Sequence, residues 1–396
     1  MKSGFVAILG RPNAGKSTLL NALTGEKVAI VSAKPQTTRN RIEGVVEVPA
    51  RKGQHPAAQI VFVDTPGVHK PGTHLDRRML QEVYEALETR DLVLLLMDAT
   101  RKVQLEEAAG EPVHKAENAV ESQVRKSGPG APTQDADPST PLRCAQDDSI
   151  IVGDGLPTPK REYTNWASED EFLFGLIRKL DCPVFLLLTK IDLVAKDHLL
   201  PLIDTLTRQF SFAQVIPISA RKRDGLELLI QKIVETLPVG ERYYPKDQYT
   251  DQPQRFMVAE LIRESILQAT GEEVPYASAV VIERFEEAEP PAPPRKKGQA
   301  PARSPLTRIA AAIYCERSGQ KAILIGKGGS KLKAIGTSAR LQIESLIGTR
   351  VFLELQVIVE PGWRESKAFV ESLDWHNQIE RLAGDQITEK PEEDSK

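Results

Sequence analysis

Residues 10–17 read Gly10-Arg-Pro-Asn-Ala-Gly15-Lys16-Ser17 and lie between an apolar run and a helical pattern. A glycine-rich turn at such a place directs backbone N–H groups toward phosphates, and the following helix N-terminus adds a favourable dipole. Lys16 can reach the β and γ phosphates, and the Ser17 hydroxyl can ligate Mg²⁺. These residues predict a phosphate-binding loop, whose candidate contacts are Gly10, Asn13, Ala14, Gly15, Lys16, Ser17 and Thr18.

Five short apolar runs alternate with helical patterns through residues 1–237. Strands that are covered by helices on both faces lose the polar alternation of exposed strands and become continuous apolar runs. We therefore predict an α/β fold of the P-loop type, a doubly wound parallel sheet with the phosphate loop after its first strand. The predicted central strands are Phe5–Leu9, Ile60–Val63, Leu92–Met97, Val184–Leu188 and Val215–Ile218.

The composition limits the class of protein. The 396 residues carry 52 basic and 55 acidic side chains, a net charge of −3, which excludes a surface that is basic throughout. The three cysteines, Cys144, Cys182 and Cys315, show no metal-binding spacing and favour neither a disulfide framework nor a zinc site. The apolar runs are far shorter than the ~20 residues of a membrane span. We expect a cytoplasmic monomer.

Two stretches interrupt the pattern of strands and helices. Residues 102–168 hold ten Leu, Ile, Val or Phe in 67 positions, about 15%, which predicts a disordered insertion because a folded segment needs roughly 20%. Residues 286–305 contain six prolines in 20 positions and predict a floppy loop between two strands. The predicted organisation is a first domain over 1–237, a linker over 238–254, a second domain over 255–375 and a charged tail over 376–396.

A second motif, Asp64-Thr-Pro-Gly67, follows the second predicted strand, at the sheet edge where ligands of such folds bind. The Asp64 carboxylate can reach Mg²⁺, and the Gly67 N–H can bond a γ-phosphate that is present only before hydrolysis. Position 68 is valine, so the glutamine that orients the attacking water in Ras-like enzymes is absent. We expect slow intrinsic hydrolysis.

The motif that would recognise the nucleotide base is Thr189-Lys190-Ile-Asp192, at the end of a predicted strand. A carboxylate can accept hydrogen bonds from the N1–H and 2-amino groups of guanine, whereas adenine offers neither donor there. Asp192 therefore predicts GTP rather than ATP. Ser219 and Ala220, after the last strand, would present the Ala220 N–H to the guanine O6.

The loop after the first helix contains Gln36-Thr37-Thr38-Arg39, at the place where translational GTPases keep a threonine that closes on Mg²⁺ and the γ-phosphate. We favour Thr38 over Thr37 as this ligand, and the sequence leaves the choice open. Asn13 is a candidate to hold a monovalent cation such as K⁺ beside the phosphates, which the sequence also leaves open.

A local basic stretch lies in the second domain, whose predicted order is α-β-β-α-α-β. Residues 317–340 include six basic side chains and no acidic one, which is typical of a phosphate-binding footprint. Within it, residues 326–329 form Gly-x-x-Gly between two predicted helices, where a nucleic-acid backbone can lie against the loop. The alternative is an ordinary solvated basic face. The candidate RNA contacts are Arg317, Lys321, Gly326, Lys327, Gly328, Gly329, Lys331 and Lys333.

Taken in order, Gly-Arg-Pro-Asn-x-Gly-Lys-Ser, Gln-Thr-Thr-Arg, Asp-Thr-Pro-Gly, Thr-Lys-Ile-Asp and Ser-Ala resemble the bacterial Era GTPases. The second half is also similar to that family at residues 254–264, 271–276 and 281–285. The resemblance implies a small G domain with GTP, GDP and Mg²⁺ as ligands, joined to a type II KH domain. It also implies binding of the 3′ end of 16S rRNA in assembly of the 30S subunit, and weak association with the inner face of the cell membrane.

The sequence departs from the family at two places. The insertion at 102–168 is not part of the usual G domain, and Thr189 replaces the more frequent asparagine, which is expected to weaken base contacts modestly. Two other functions remain as alternatives: an RNA chaperone with a structural nucleotide pocket, and a membrane or cell-division regulatory GTPase. Intact Lys16, Ser17 and Asp64 favour hydrolysis over the first, and the sequence shows no membrane-binding segment for the second.

Overall fold

The computed structural model describes residues 1–53, 55–101, 168–271, 273–288, 305–373 and 375. The predicted insertion at 102–168 lies outside the described residues except for Ser168, which caps a helix and so does not belong to it. The predicted loop at 286–305 lies outside them over residues 289–304, and the predicted tail at 376–396 lies outside them entirely.

The first half of the chain forms a six-stranded sheet in the order β2-β3-β1-β4-β5-β6. Five strands are parallel and β2 is antiparallel to β3. The chain leaves β1 to one side and returns to its other side, and this switch point at the carboxyl end of β1 is where ligands bind in such sheets. The strands are β1 (Lys2–Gly10), β2 (Ile42–Val48), β3 (Ala58–Asp64), β4 (Leu92–Asp98), β5 (Val184–Thr189) and β6 (Gln214–Pro217).

The prediction of five central parallel strands needs two corrections. Strand β2 was not predicted, because Glu43 and Glu47 interrupt its apolar residues, as is usual for a strand near an exposed edge. The last predicted strand ends at Pro217 rather than at Ile218 and is an edge strand, not a central one.

Helices cover the sheet. Leu19 and Leu20 of the first helix and Leu229 of the fifth pack on one face, in a core cluster with Val6 and Phe62. The third helix begins after Ser168, whose Oγ accepts the N–H of Glu171 at 3.1 Å. The helices are α1 (Lys16–Thr24), α2 (His74–Glu88), α3 (Glu169–Ile177), α4 (Leu199–Thr207) and α5 (Leu226–Thr236).

The predicted linker, residues 238–254, is hydrogen-bonded to the sheet. The N–H of Val45 in β2 donates to the carbonyl of Tyr249 at 2.9 Å, and the hydroxyl of Thr250 donates to the carbonyl of Glu43 at 2.8 Å. The fully buried Gln59 of β3 accepts the N–H of Tyr244 at 3.0 Å. The linker therefore covers the open edge of β2 and satisfies its backbone groups.

The second half follows the predicted order α-β-β-α-α-β and adds one short helix that the sequence analysis missed. Its sheet has the order β7-β8-β9, antiparallel between β7 and β8 and parallel between β8 and β9. The elements are α6 (Gln254–Ala269), β7 (Ser278–Glu286), β8 (Leu306–Cys315), α7 (Ser318–Ile325), α8 (Ser330–Ile347), β9 (Arg350–Val359) and α9 (Lys367–Ser372).

The two halves share an apolar contact. Leu75 and Met79 of α2 pack in one buried cluster with Ala279 of β7, Trp363 and Val370 of α9. The Trp363 indole N–H donates to the carbonyl of Ala277 at 3.0 Å, so this buried ring leaves no unpaired donor. The short helix α9 therefore contributes to the junction between the halves.

Candidate functional site

The phosphate loop places a buried lysine at the start of α1. Lys16 is only 6% exposed, and its Nζ donates to the carbonyls of Gly10 and Arg11, both at 3.1 Å. Burial lowers the pKa of Lys16 to about 8, against the opposing charges of Asp64 and Glu169. Gly15 occupies the N-cap position and offers no side chain to the first N–H groups of the helix, so these groups face the loop as donors for an anion.

Three oxygen-bearing side chains meet beside Lys16. The Ser17 Oγ lies 2.6 Å from Asp64 Oδ2 and 2.8 Å from Thr38 Oγ1, and Thr38 Oγ1 lies 3.3 Å from Asp64 Oδ2. The other carboxylate oxygen, Asp64 Oδ1, is buried and has no hydrogen-bond partner among the described residues. Burial raises the pKa of Asp64 to about 6, and the Lys16 charge opposes this rise. Hard oxygen donors with one unpartnered carboxylate oxygen fit a Mg²⁺ ion.

The structure distinguishes the two adjacent threonines. Thr38 is 5% exposed and belongs to the oxygen cluster, whereas the Thr37 hydroxyl turns away and donates to the carbonyl of Lys34 at 2.7 Å. Both line a cleft of about 370 Å³, open to solvent, into which the phosphate loop also faces. Of the predicted residues, those lining the cleft are Asn13, Gly15, Lys16, Ser17, Thr18, Thr38 and Gly67.

Gly67 closes one wall of this cleft by a close approach that only glycine allows. A Cβ at this position would lie 2.7 Å from the Cα of Pro12 in the phosphate loop. The next residue, Val68, is buried, and its N–H donates to the carbonyl of Gly10 at 3.2 Å. Position 68 therefore presents a buried apolar side chain where Ras-like enzymes carry a water-orienting glutamine.

The residues predicted for the base lie at the ends of β5 and β6. Asp192 accepts the hydroxyl of Ser219 at 2.7 Å, and this bond holds the pKa of Asp192 below its usual value. Lys190 donates to Asp98 at 2.6 Å, which fixes the turn before Asp192. These residues and Ala220 do not line the phosphate cleft. Thr189 links the two regions, because its hydroxyl donates to the carbonyl of Ala14 in the phosphate loop at 2.7 Å.

The basic loop lies between α7 and α8. Gly326, Gly328 and Gly329 all have positive φ, at 72°, 58° and 78°, and Gly328 is exposed with nothing within 4 Å of a Cβ built on it. Ile335, Ala339 and Ile343 form the buried face of α8. Among the described residues, five basic side chains of this region have no acidic partner within 4 Å: Arg317, Lys321, Lys327, Lys331 and Lys333.

The charged residues that connect the phosphate cleft to the second half were not predicted from the sequence. Arg39 and Arg263 are 8% and 2% exposed, and each donates to carbonyls of the other half of the chain. The only available signal was the presence of Glu260, Arg263 and Glu264 within a helix that is otherwise largely apolar. Charge on a predicted core helix is a sign of a buried polar contact.

A phosphate loop with an adjacent oxygen cluster, and a carboxylate positioned for a base at the next strand ends, define a P-loop GTPase. The comparisons agree with this class: a family model of 50S ribosome-binding GTPases matches residues 5–126, and a KH-domain model matches residues 296–364.

GTPase Era of Ruminiclostridium cellulolyticum is 37% identical over 372 residues, which cover 94% of this chain and 97% of the relative. The chain belongs to the Era family of GTP-hydrolysing enzymes.

Further relatives and solved structures agree. GTPase Era of Lacticaseibacillus paracasei is 38% identical over 374 residues, covering 94% of this chain and 97% of the relative. A crystal structure of an Era variant from Aquifex aeolicus bound to GDP and AlF₄⁻ is 32% identical, with a TM-score of 0.70 over 95% of this chain and 99% of that one. A structure of Era with MgGDPNP and nucleotides 1506–1542 of 16S ribosomal RNA has the same identity, coverage and TM-score.

These findings confirm the predicted family, the GTPase activity and the fold class, a G domain followed by a KH domain. Within the described residues, no helix is both long and apolar enough to cross a bilayer.

Proposed function

We propose that this GTPase binds the 3′ end of 16S rRNA through its KH domain and acts as a nucleotide-controlled factor in assembly of the 30S subunit. The observation that carries the proposal is the exposed Gly-x-x-Gly loop, whose lysines have no acidic partner in the described part of the chain, together with the phosphate cleft. The complex of a related Era with an rRNA fragment supports the choice of RNA. A site of action on 30S precursors implies a cytoplasmic location.

In the proposed nucleotide site, the N–H groups at the start of α1 bind phosphate oxygens, and Lys16 exchanges its carbonyl contacts for the β and γ phosphates. Ser17, Thr38 and Asp64 would hold Mg²⁺, which neutralises charge on the phosphate oxygens when bound. The Gly67 N–H donates to the γ-phosphate and so reports whether that group is present. Asn13 retains its amide oxygen for a K⁺ ion, since its Nδ2 donates to the carbonyl of Ala33 at 2.7 Å.

For the base, Asp192 accepts the two guanine donors and the Ala220 N–H donates to O6. The Ser219 hydroxyl holds the Asp192 carboxylate in place, so less rotamer freedom is lost when guanine binds. We also propose the domain bounds 1–237 and 255–375, joined by the pinned linker over 238–254. The weak membrane association stays a prediction from the family resemblance.

For RNA, the glycines of the loop let a sugar-phosphate backbone approach closely, and the lysines supply charge-assisted contacts to phosphates. The 18-residue helix α8 begins at the loop, and the positive end of its dipole favours a phosphate there. KH modules take about four nucleotides. A single-stranded rRNA tail therefore has the matching size and charge.

The test compares Gly328→Asp with Gly348→Asp, which places the same residue at the opposite end of α8. Both glycines are exposed, have positive φ, and have nothing within 4 Å of an added Cβ, so the backbone strain and the added charge are matched. We expect Gly328→Asp to weaken binding of a 3′-end rRNA oligonucleotide at least tenfold in a fluorescence anisotropy titration. Gly348→Asp should bind within about twofold of the unchanged protein, and both variants should hydrolyse GTP normally.

Salt dependence provides a second readout of the same experiment. With about 0.7 ions released per contact and about four phosphate contacts, a fourfold increase in salt weakens binding roughly 50-fold. Equal RNA binding by the two glycine variants, or a flat salt response, would show that the RNA site lies elsewhere on the protein.

A further inference from the structure

Helix α6 of the KH domain presents a charged face to the loop that carries Thr38. Arg263 and Glu264 follow Glu260 by three and four positions, so all three residues share one side of the helix. Arg263 and Glu264 are nearly fully buried, at 2% and 3% exposure, although α6 also packs its apolar side into the KH core. Buried charges need partners, and this face finds them both within α6 and in the G domain.

Arg263 makes the central contact. Its Nε and Nη2 donate to the two carboxylate oxygens of Glu260 at 2.8 and 2.6 Å, which fixes the plane of the guanidinium. Nη2 also donates to the carbonyl oxygen of Thr37. That carbonyl belongs to the peptide group whose N–H is that of Thr38. Arg263 therefore orients the peptide plane directly before Thr38.

The residue after Thr38 is anchored in the same domain. The Arg39 guanidinium donates to the carbonyls of Ser278 at 2.8 Å and Tyr276 at 3.2 Å, and it lies over the Trp363 ring at 5.7 Å from the ring centroid. Both neighbours of Thr38 are thus held by the KH domain, while the Thr38 hydroxyl itself points to Ser17 and Asp64 in the G domain.

The start of the loop is held by α6 as well. Glu264 accepts the N–H of Val31 at 3.0 Å and the ammonium group of Lys27. The Lys34 ammonium donates to the carbonyls of Leu267 and Thr270, at the end of the helix. These contacts fix the loop over several residues, so the peptide at Thr37 cannot shift independently of α6.

We propose that Arg263, held by Glu260, is a positioning residue for GTP hydrolysis that sets the orientation of Thr38 from the KH domain. The inference rests on the proposed role of Thr38 as a ligand of Mg²⁺. It makes the geometry of the hydrolytic site dependent on how α6 packs against the G domain. Arg263, more than 220 positions from Thr37 in the sequence, then helps to position the nucleotide site.

The test uses Arg263→Gln in the full chain, with Arg255→Gln as the matched control. Arg255 lies on the same helix, is exposed, and donates to the carbonyl of Ile282 within the KH domain, so its loss leaves the loop untouched. We expect Arg263→Gln to lower the single-turnover rate of GTP hydrolysis at least tenfold and to raise the Mg²⁺ concentration for half-maximal rate severalfold. GDP affinity should change less than twofold, because GDP does not require Thr38. Arg255→Gln should match the unchanged protein in all three measurements.

A double-mutant cycle with Thr38→Ala separates positioning from general damage. If Arg263 acts through Thr38, Arg263→Gln lowers the rate little further in the Thr38→Ala background. An equal further loss in that background, an equal loss of GDP affinity, or a normal rate in Arg263→Gln alone overturns the inference. If Thr38→Ala hydrolyses GTP normally, the proposed role of Thr38 as a Mg²⁺ ligand fails as well. This variant therefore distinguishes failure of the Arg263 proposal from failure of the Thr38 proposal.

Glu260→Gln keeps the test decisive if Arg263→Gln does not fold. The amide retains the size of Glu260 but weakens its charged pair with Arg263. We expect a smaller rate loss in the same direction, about threefold or more, with the same rise in Mg²⁺ requirement. A folded Glu260→Gln protein with normal rate and Mg²⁺ dependence overturns the inference.

Discussion

Thr189 is the residue at which the chain departs from the usual guanine motif, and its structural role lies in the phosphate loop. Its side chain is 4% exposed, and the hydroxyl donates to the carbonyl of Ala14 at 2.7 Å. A buried carbonyl that loses its donor costs about 1–3 kcal/mol. Thr189 therefore ties the end of β5 to the loop that surrounds the phosphates. The expected weakening of base contacts remains a prediction.

We predict that Thr189→Val lowers the free energy of unfolding by about 1–3 kcal/mol, because valine keeps the shape but leaves the Ala14 carbonyl unpaired. The loosened loop should weaken GTP and GDP binding by similar factors. Urea denaturation and calorimetric titration measure the two effects. Thr189→Ser retains the hydroxyl and is the control, so equal stability of the serine and valine variants would contradict this role.

At the scale of elements, the linker acts as an additional edge of the sheet. Gln59 is the fixed point: its Oε1 accepts the N–H groups of Tyr243 and Tyr244 at 2.8 and 3.0 Å, and its Nε2 donates to the Tyr244 carbonyl at 2.9 Å. The Tyr244 hydroxyl donates to Glu43 of β2 at 2.6 Å. Because the linker is bonded to β1, β2 and β3, the KH domain begins from a fixed point on the G domain.

Gln59→Met is predicted to lower the free energy of unfolding by about 2 kcal/mol, since a side chain of similar length leaves two backbone N–H groups unpaired. GTP hydrolysis should be retained, because Gln59 and Asp64 lie at opposite ends of β3, about 17 Å apart at the rise of a strand. Chemical denaturation measures the change. Gln81→Met on the exposed face of α2 is the control, because among the described residues the Gln81 side chain hydrogen-bonds only Glu85. Equal stability of the two variants would show that the linker is not anchored through Gln59.

At the scale of the whole molecule, the phosphate cleft and the basic loop are connected through the KH domain. The first helix of this domain, α6, contacts the loop of Thr38 through Arg263 and Glu264. Helix α8 begins at the Gly-x-x-Gly loop and packs in the same KH core as α6. We therefore expect a ligand that favours one packing of α6 to shift the affinity of the other site. Such coupling is reciprocal for binding free energies.

We predict that a non-hydrolysable GTP analogue raises the affinity for the rRNA oligonucleotide about 5–150-fold relative to GDP, the usual range of such coupling. The oligonucleotide should raise the affinity for the analogue relative to GDP by the same factor. Calorimetric titrations around the full cycle measure both factors. RNA affinities that are equal in the two nucleotide states would contradict a coupling between the sites.

Much of this protein follows from local sequence. The strands β1, β3, β4 and β5 contain continuous apolar runs because helices cover both faces of the sheet. Their burial is therefore visible directly in the sequence. The phosphate loop combines glycine, lysine and serine at a spacing that the backbone geometry itself requires. The KH order of elements was also predicted, since each of its helices and strands has its own period.

Other features were decided only by the tertiary structure. Strand β2 contains polar residues and exists because β3 and the linker pair with it on either side. The different orientations of Thr38 and Thr37, of which only Thr38 turns its hydroxyl toward Asp64, are visible only in the structure. The contact of Arg263 with the Thr37 carbonyl joins residues 226 positions apart. Local periodicity records whether a residue is buried in its own element, but it does not record which surface of another domain will cover it, because that depends on how the two folded surfaces meet.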